Sequence, residues 1–202
     1  MLIKANINGV TMKKILAITL LTLSQATLAD WTLNNEQSSL NFISTKNATV
    51  TEVHHFKSLQ GNLTDAGEAS ISVDLNSVET NVSIRNKRMN EFLFNTVKFP
   101  KATVNLTINR AKISKLSVGE STKIAVAAMV SLHGVVQEIT TTLNVVALKN
   151  GGLQASSLEP IILTPAKFDL LAGIQKLQEL AKLNSITTTV PISFNFVFDK
   201  VL

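Results

Sequence analysis

Residues 68–78 read EASISVDLNSV, and the alternation in them is almost unbroken: Ala69, Ile71, Val73 and Leu75 stand against Ser70, Ser72, Asp74 and Asn76. Successive side chains of a strand point to opposite faces, so a period of two predicts a strand with one buried and one wet face. The pattern recurs on both sides of this stretch. Trp31 to Ser44 carries Leu40 and Phe42 on one face, and Ala102, Val104, Leu106 and Ile108 alternate with Thr103, Asn105 and Thr107. Ile124, Val126, Ala128, Val130 and Leu132 form one long series, and Ile139, Thr141, Leu143 and Val145 another. The last run, 186–198, sets Ile186, Thr188, Val190, Ile192, Phe194, Phe196 and Phe198 on one face. Turn signals at Asp65-Ala66-Gly67, Gly119 and Asn150-Gly151-Gly152 separate the runs.

Two segments follow a different period. Asn86 to Phe94 (NKRMNEFLF) puts Met89, Phe92 and Leu93 on one helical face, which predicts a short helix or turn. Asp169 to Leu183 spaces Leu170, Leu171, Ile174, Leu177, Leu180 and Ala181 as an amphipathic helix, with Asp169 as N-cap and Asn184 beyond its end. A helix placed there can cover one mouth of a barrel. About eight strands in meander order predict an all-β fold, an eight-stranded antiparallel barrel. It carries a short helix after an early strand and an amphipathic helix before the last, and closure removes the exposed edges. Such a barrel either fills its interior with side chains or holds one small ligand, and alternation alone leaves both open.

The chain opens differently. From Met12 it reads MKKILAITLLTLSQATLA: two lysines, an apolar run from Ile15 to Leu23, then small and polar residues to Ala29. This is the layout of a secretory signal, with Met1 to Thr11 as an upstream extension and cleavage expected before Asp30. The apolar run is far short of the roughly 20 residues that span a bilayer, so an uncleaved anchor is the weaker reading. The expected division is 1–29 as extension and cleaved signal and 30–202 as one domain, since no internal repeat or linker interrupts it.

Composition excludes several classes of function. The 202 residues contain no cysteine, which removes disulfides, thiolate zinc sites and cysteine nucleophiles. Lys4, Lys13 and Lys14 lie in the acid-free first 29 residues, so the formal charge of +5 falls to +2 for the rest, too mild for a nucleic-acid binder. With one Trp and no Tyr, base-stacking platforms are poorly supplied and the Trp and Tyr girdles of an outer-membrane barrel are absent, and the chain ends in Leu202 just after the charged Asp199 and Lys200. His54 and His55 are adjacent on a strand and point apart, so they do not share a metal. Neither HExxH nor GxSxG occurs, and an enzyme is not expected.

Two polar features remain. His133, before Gly134, reads as a turn or mouth residue with a satisfied hydrogen bond, or as a polar ligand contact. Arg85 and Arg88 are three apart, so on a helical turn they share a face; they are either a solvated pair beside Lys87 or a grip for a phosphate or carbonyl head group.

The opening WTLNNEQSSLNFISTKN, the SVET, RNKRM, LF and KFPKA succession within 74–102, and Leu132-His133-Gly134-Val135 make the chain similar to the YceI-like, or polyisoprenoid-binding, family over nearly all of 31–198. The resemblance implies a lipocalin-like eight-stranded barrel that binds a long isoprenoid chain in its interior, and a periplasmic location. It departs at Asn86, where members often carry an acid, and in a longer, more helical segment before the last strand. The expected function is a periplasmic protein that holds an isoprenoid lipid, of quinone or polyprenyl type, for sequestration or transport. The expected ligand-binding residues are Phe42, Val73, Arg85, Arg88, Leu106, Val126, His133, Leu143, Phe194 and Phe196. The lipid would be ligand rather than cofactor, no metal, nucleic acid or membrane-integral state is expected, and a homodimer is compatible with the reading. The competing function is a non-catalytic structural or stress-response interaction domain with a filled barrel.

Overall fold

The computed structural model describes residues 30–201, and it divides the predicted runs among twelve strands. The run beginning at Trp31 splits into β1 (Trp31–Leu33) and β2 (Ser39–Lys46). At the bend, the Asn35 side chain donates to the Lys57 carbonyl at 3.0 Å and accepts from the Leu59 N–H at 2.7 Å, satisfying backbone groups that a kinked strand cannot pair. The partner strand is broken at the same level, between β3 (Val50–Phe56) and β4 (Leu59–Leu63). Because β1 pairs with β4 and β2 with β3, the four pieces form one long, bent hairpin.

The decisive stretch forms β5 (Glu68–Asp74), with Ala69, Ile71 and Val73 turned inward. Leu75 leaves the strand because the Asp74 side chain accepts the Asn76 N–H at 3.0 Å and opens a single 3-10 turn, Leu75–Ser77, ahead of β6 (Val78–Glu79). Then come β7 (Lys101–Thr107), β8 (Ser121–Leu132), β9 (Val135–Ala147), β10 (Leu153–Ser157) and β11 (Ile161–Leu163). The last strand, β12 (Val190–Lys200), is the seam: its end pairs with β1 and β10, its beginning with β2 and β11. With each bent pair counted as one stave, eight antiparallel staves close into the expected barrel. The predicted run from Ile186 is shortened, however. Ile186 makes only an isolated bridge to Lys46, and Thr187 gives both its N–H and its hydroxyl to the Thr45 carbonyl, so Ile186 and Thr188 lie outside the ladder.

Helices sit where expected, with altered bounds. α1 (Ser83–Arg88) runs into a π-helical turn, Met89–Phe94. The wider i→i+5 turn brings Met89, Leu93 and Phe94 to the barrel interior in place of the predicted Met89, Phe92 and Leu93. α2 (Leu171–Leu180) is shorter than the predicted 169–183. Asp169 is not its cap: it takes a left-handed φ of 55° after the 3-10 turn Pro165–Phe168, and this reversal lets Phe168, 1% exposed, and Leu170 both enter the core. The core has one cluster around Trp31, Val73, Ile124 and Phe198 and another around Leu75, Phe94, Phe168 and Leu170. Met12 to Ala29, the expected export segment, lies outside the described residues. Among those described, no helix is long and apolar enough to cross a membrane.

Candidate functional site

Inside the barrel is a cavity of about 280 Å³ whose wall exposes no polar surface. It arises from the alternation itself, since every stave contributes its inward positions. Phe42, Val73, Leu106, Val126, Leu143, Phe194 and Phe196, the seven apolar residues expected inside, all line it. Val73 and Val126 are buried, and Phe194 and Phe196 stack with centroids 4.5 Å apart. Among the described residues, Thr141 alone brings a polar side chain to the lining. Small and aliphatic side chains leave this space because their volumes do not meet across the barrel axis.

Both ends are covered. At one end, α2 packs on the π-helical turn, and Met89, Leu93, Phe94, Leu170 and Ile174 roof the cavity. Gly173 allows the crossing: a Cβ there would stand 2.6 Å from the Phe92 carbonyl oxygen and 2.8 Å from the Leu93 Cα. At the other end Ile113 plugs the barrel, following a 3-10 turn (Arg110–Lys112) capped by Asn109, whose side chain accepts the Ala111 N–H at 3.0 Å. The Arg110 guanidinium lies 4.2 Å over the Trp31 ring and donates to Asp65 at 3.3 Å, while the Trp31 indole N–H donates to the Gly151 carbonyl at 2.8 Å. Leu40, read on the same face as Phe42, also lines the wall, and alternation should have revealed Phe56 as well; the roof and plug residues come from segments without a strand period.

The three polar residues expected at the ligand do not line the cavity. Arg85 is turned to Glu52, with Nη1 2.8 Å from Oε2, and to the Thr80 carbonyl. Arg88 donates to the Leu180 carbonyl at 3.3 Å, tying α1 to the end of α2. Each guanidinium is thus engaged by a different element, Arg85 by β3 and Arg88 by the end of α2. His133 is the turn residue: with Gly134 it makes a two-residue connection in which both φ values are positive, 53° and 80°, as a tight hairpin requires. Its ring meets Phe99 edge-on at 4.7 Å, and its buried Nδ1 has no partner among the described residues, contrary to the expected hydrogen bond.

A charged cluster borders the roof. Glu52 is held near 2 by a hydrogen bond from Lys46, with burial opposing and Arg85 adding a second bond. His54, 3% exposed, shares a 2.9 Å hydrogen bond between Nε2 and the Ser44 hydroxyl and lies 5.2 Å from the Phe42 ring. Burial and the nearby Arg85 lower its pKa, which favours the neutral imidazole. Among the described residues no group of three His, Asp or Glu is placed to hold a metal.

Comparison with known proteins places this geometry. The family model of the YceI-like domain matches residues 31–198. A solved polyisoprenoid-binding domain from Saccharophagus degradans, implicated in plant cell wall breakdown, is 38% identical and superposes with a TM-score of 0.84, over 86% of this chain and 100% of that one. BcnA of Burkholderia cenocepacia shares the fold at 18% identity and a TM-score of 0.62, over 82% of this chain and 98% of that one. No curated protein matches the chain.

Proposed function

The chain belongs to the YceI-like family, and from that premise we propose that it is a carrier which holds the tail of a long isoprenoid lipid in its barrel cavity. The observation that carries this reading is the cavity: an apolar chamber, roofed and plugged, in a barrel that could have been filled. Phe42, Val73, Leu106, Val126, Leu143, Phe194 and Phe196 are the proposed tail contacts. Each buried CH₂ contributes about 0.8 kcal/mol, so ten buried carbons supply roughly 8 kcal/mol before the costs of association. Affinity therefore needs no specific polar contact. The relative from Saccharophagus degradans, described as polyisoprenoid-binding, supports the same ligand class.

A quinone or polyprenyl head group, and residence in the periplasm, belong to this proposal. The signal-like residues up to Ala29 support export, and β1 starts at Trp31, so cleavage before Asp30 would leave the barrel whole. Arg85 and Arg88 act in it as braces that hold α1 to β3 and α2. The test is extraction of the protein purified from its own cells, with mass spectrometry of the organic phase. A stoichiometric isoprenoid lipid is expected; protein that arrives empty and also takes up no isoprenoid added afterwards would favour the filled structural domain.

A further inference from the structure

The wall of the barrel is split along one short stretch. β9 pairs with β8 along its whole length, but on its other side with β10 only from Leu143 to Ala147. The Leu158 N–H adds one bond to the Thr142 carbonyl at 3.1 Å, and there the ladder stops. At Glu159-Pro160 the chain steps away, Pro160 having no N–H to give, and β11 pairs with β12 alone among the described residues. The first half of β8 also lacks a ladder bond to β7, but 109–116 covers that side, with Ile113 and Leu116 packed into the core. Outside the split between β9 and β11 there is instead a groove of about 690 Å³.

This groove and the cavity share their wall: Val126, Ile139, Thr141 and Ile161 line both. Its floor is Ala125 and Ala127, small and exposed, and its rim adds Thr140, Thr142 and Glu159. Among the described residues, no Lys or Arg lines it. Apolar side chains stand at both ends of the barrel, and the split is a lateral way out.

We propose that the gap between β9 and β11 is a side door through which the lipid enters and leaves, its rim seating a neutral head group that bears a hydroxyl. The proposal rests on the lipid-carrier reading. Threonine hydroxyls and the Glu159 carboxylate accept a hydrogen bond from a hydroxyl, whereas a phosphate there meets a like charge and no cation. An isoprenoid alcohol or phenol fits this rim, and a diphosphate does not.

The test uses two probes with one tail, geranylgeraniol and geranylgeranyl diphosphate, loaded into delipidated protein and released to phosphatidylcholine vesicles. Ala127→Trp fills the groove from an exposed position, and Ala125→Trp does so independently. Val53→Trp, at an exposed position on β3, is the control. Loading and release of the alcohol should both slow by about tenfold in the two groove variants and stay at the parent rate in the control. The parent should prefer the alcohol to the diphosphate by about tenfold, and Glu159→Lys should narrow that gap. Unchanged rates in folded Ala127→Trp and Ala125→Trp, or a parent that prefers the diphosphate, would overturn the door while leaving the carrier intact. A parent that binds neither probe would bring down the carrier reading, and the door with it.

Discussion

Asn86 shows how one atom pair decides a residue. Its carbonyl oxygen accepts from the Thr80 N–H at 3.0 Å and from the Thr80 hydroxyl, and its amide donates to Glu79 Oε1 at 3.0 Å. Thr80 is 2% exposed, so these bonds satisfy buried groups. The family resemblance leads to an acid being expected here. In this chain Glu79 already supplies the charge, held near 2 by the Lys57 hydrogen bond and then by Asn86 and the Asn81 N–H. Asn86→Asp replaces a donor with a second carboxylate and should lower the urea midpoint at neutral pH. Adding Glu79→Gln should restore it, and equal midpoints for parent and single variant would refute this account.

The acid behaviour follows from the same residues. Glu52 and Glu79 both lie near 2 in the folded protein against an ordinary 4.5. A depressed folded pKa means stability that is fully present above 4.5 and is lost as pH falls toward 2. Urea midpoints should decline through that window, and Glu52→Gln with Glu79→Gln should flatten the decline; an unaltered slope would contradict the assignment.

At the scale of elements, the sequence is legible wherever a single period encodes the answer. The inward positions of β2, β5, β7, β8, β9 and β12 follow from alternation, which is why the seven apolar cavity residues can be read from the chain itself. Bends are not legible, because they depend on distant bonds: Asn35 reaches Lys57 and Leu59. Nor is the register of the roof helix, since a π-helical turn looks like an α-helix until its i→i+5 bonds form. Arg85 and Arg88 look like a pair because spacing shows a shared face and says nothing of Glu52 and Leu180 waiting on either side. The roof depends on Gly173, whose missing Cβ would strike the Phe92 and Leu93 backbone, which cannot swing aside. Gly173→Val should cost about 1–3 kcal/mol and raise amide exchange across Leu171–Leu180. Parent-like exchange there would show that α2 is held by other contacts.

For the whole molecule, the barrel begins at the first residue of its first strand, Trp31. Intact mass of exported protein should therefore place the mature N-terminus within about two residues of Asp30. A species that retains Met12 to Leu28 would contradict the export argument.

In a lipid carrier the barrel interior is space for a chain and not packed core. Val126 points into it from β8, so a Val126→Trp indole has room only where a lipid would lie. The most direct measurement is geranylgeraniol binding to delipidated parent and Val126→Trp, read beside their thermal melts. A carrier shows saturable binding by the parent and its loss in a variant that melts within a few degrees of it. A filled barrel predicts the reverse, no binding by the parent and an overpacked variant destabilised by about 1–3 kcal/mol or more, and that result would contradict the carrier.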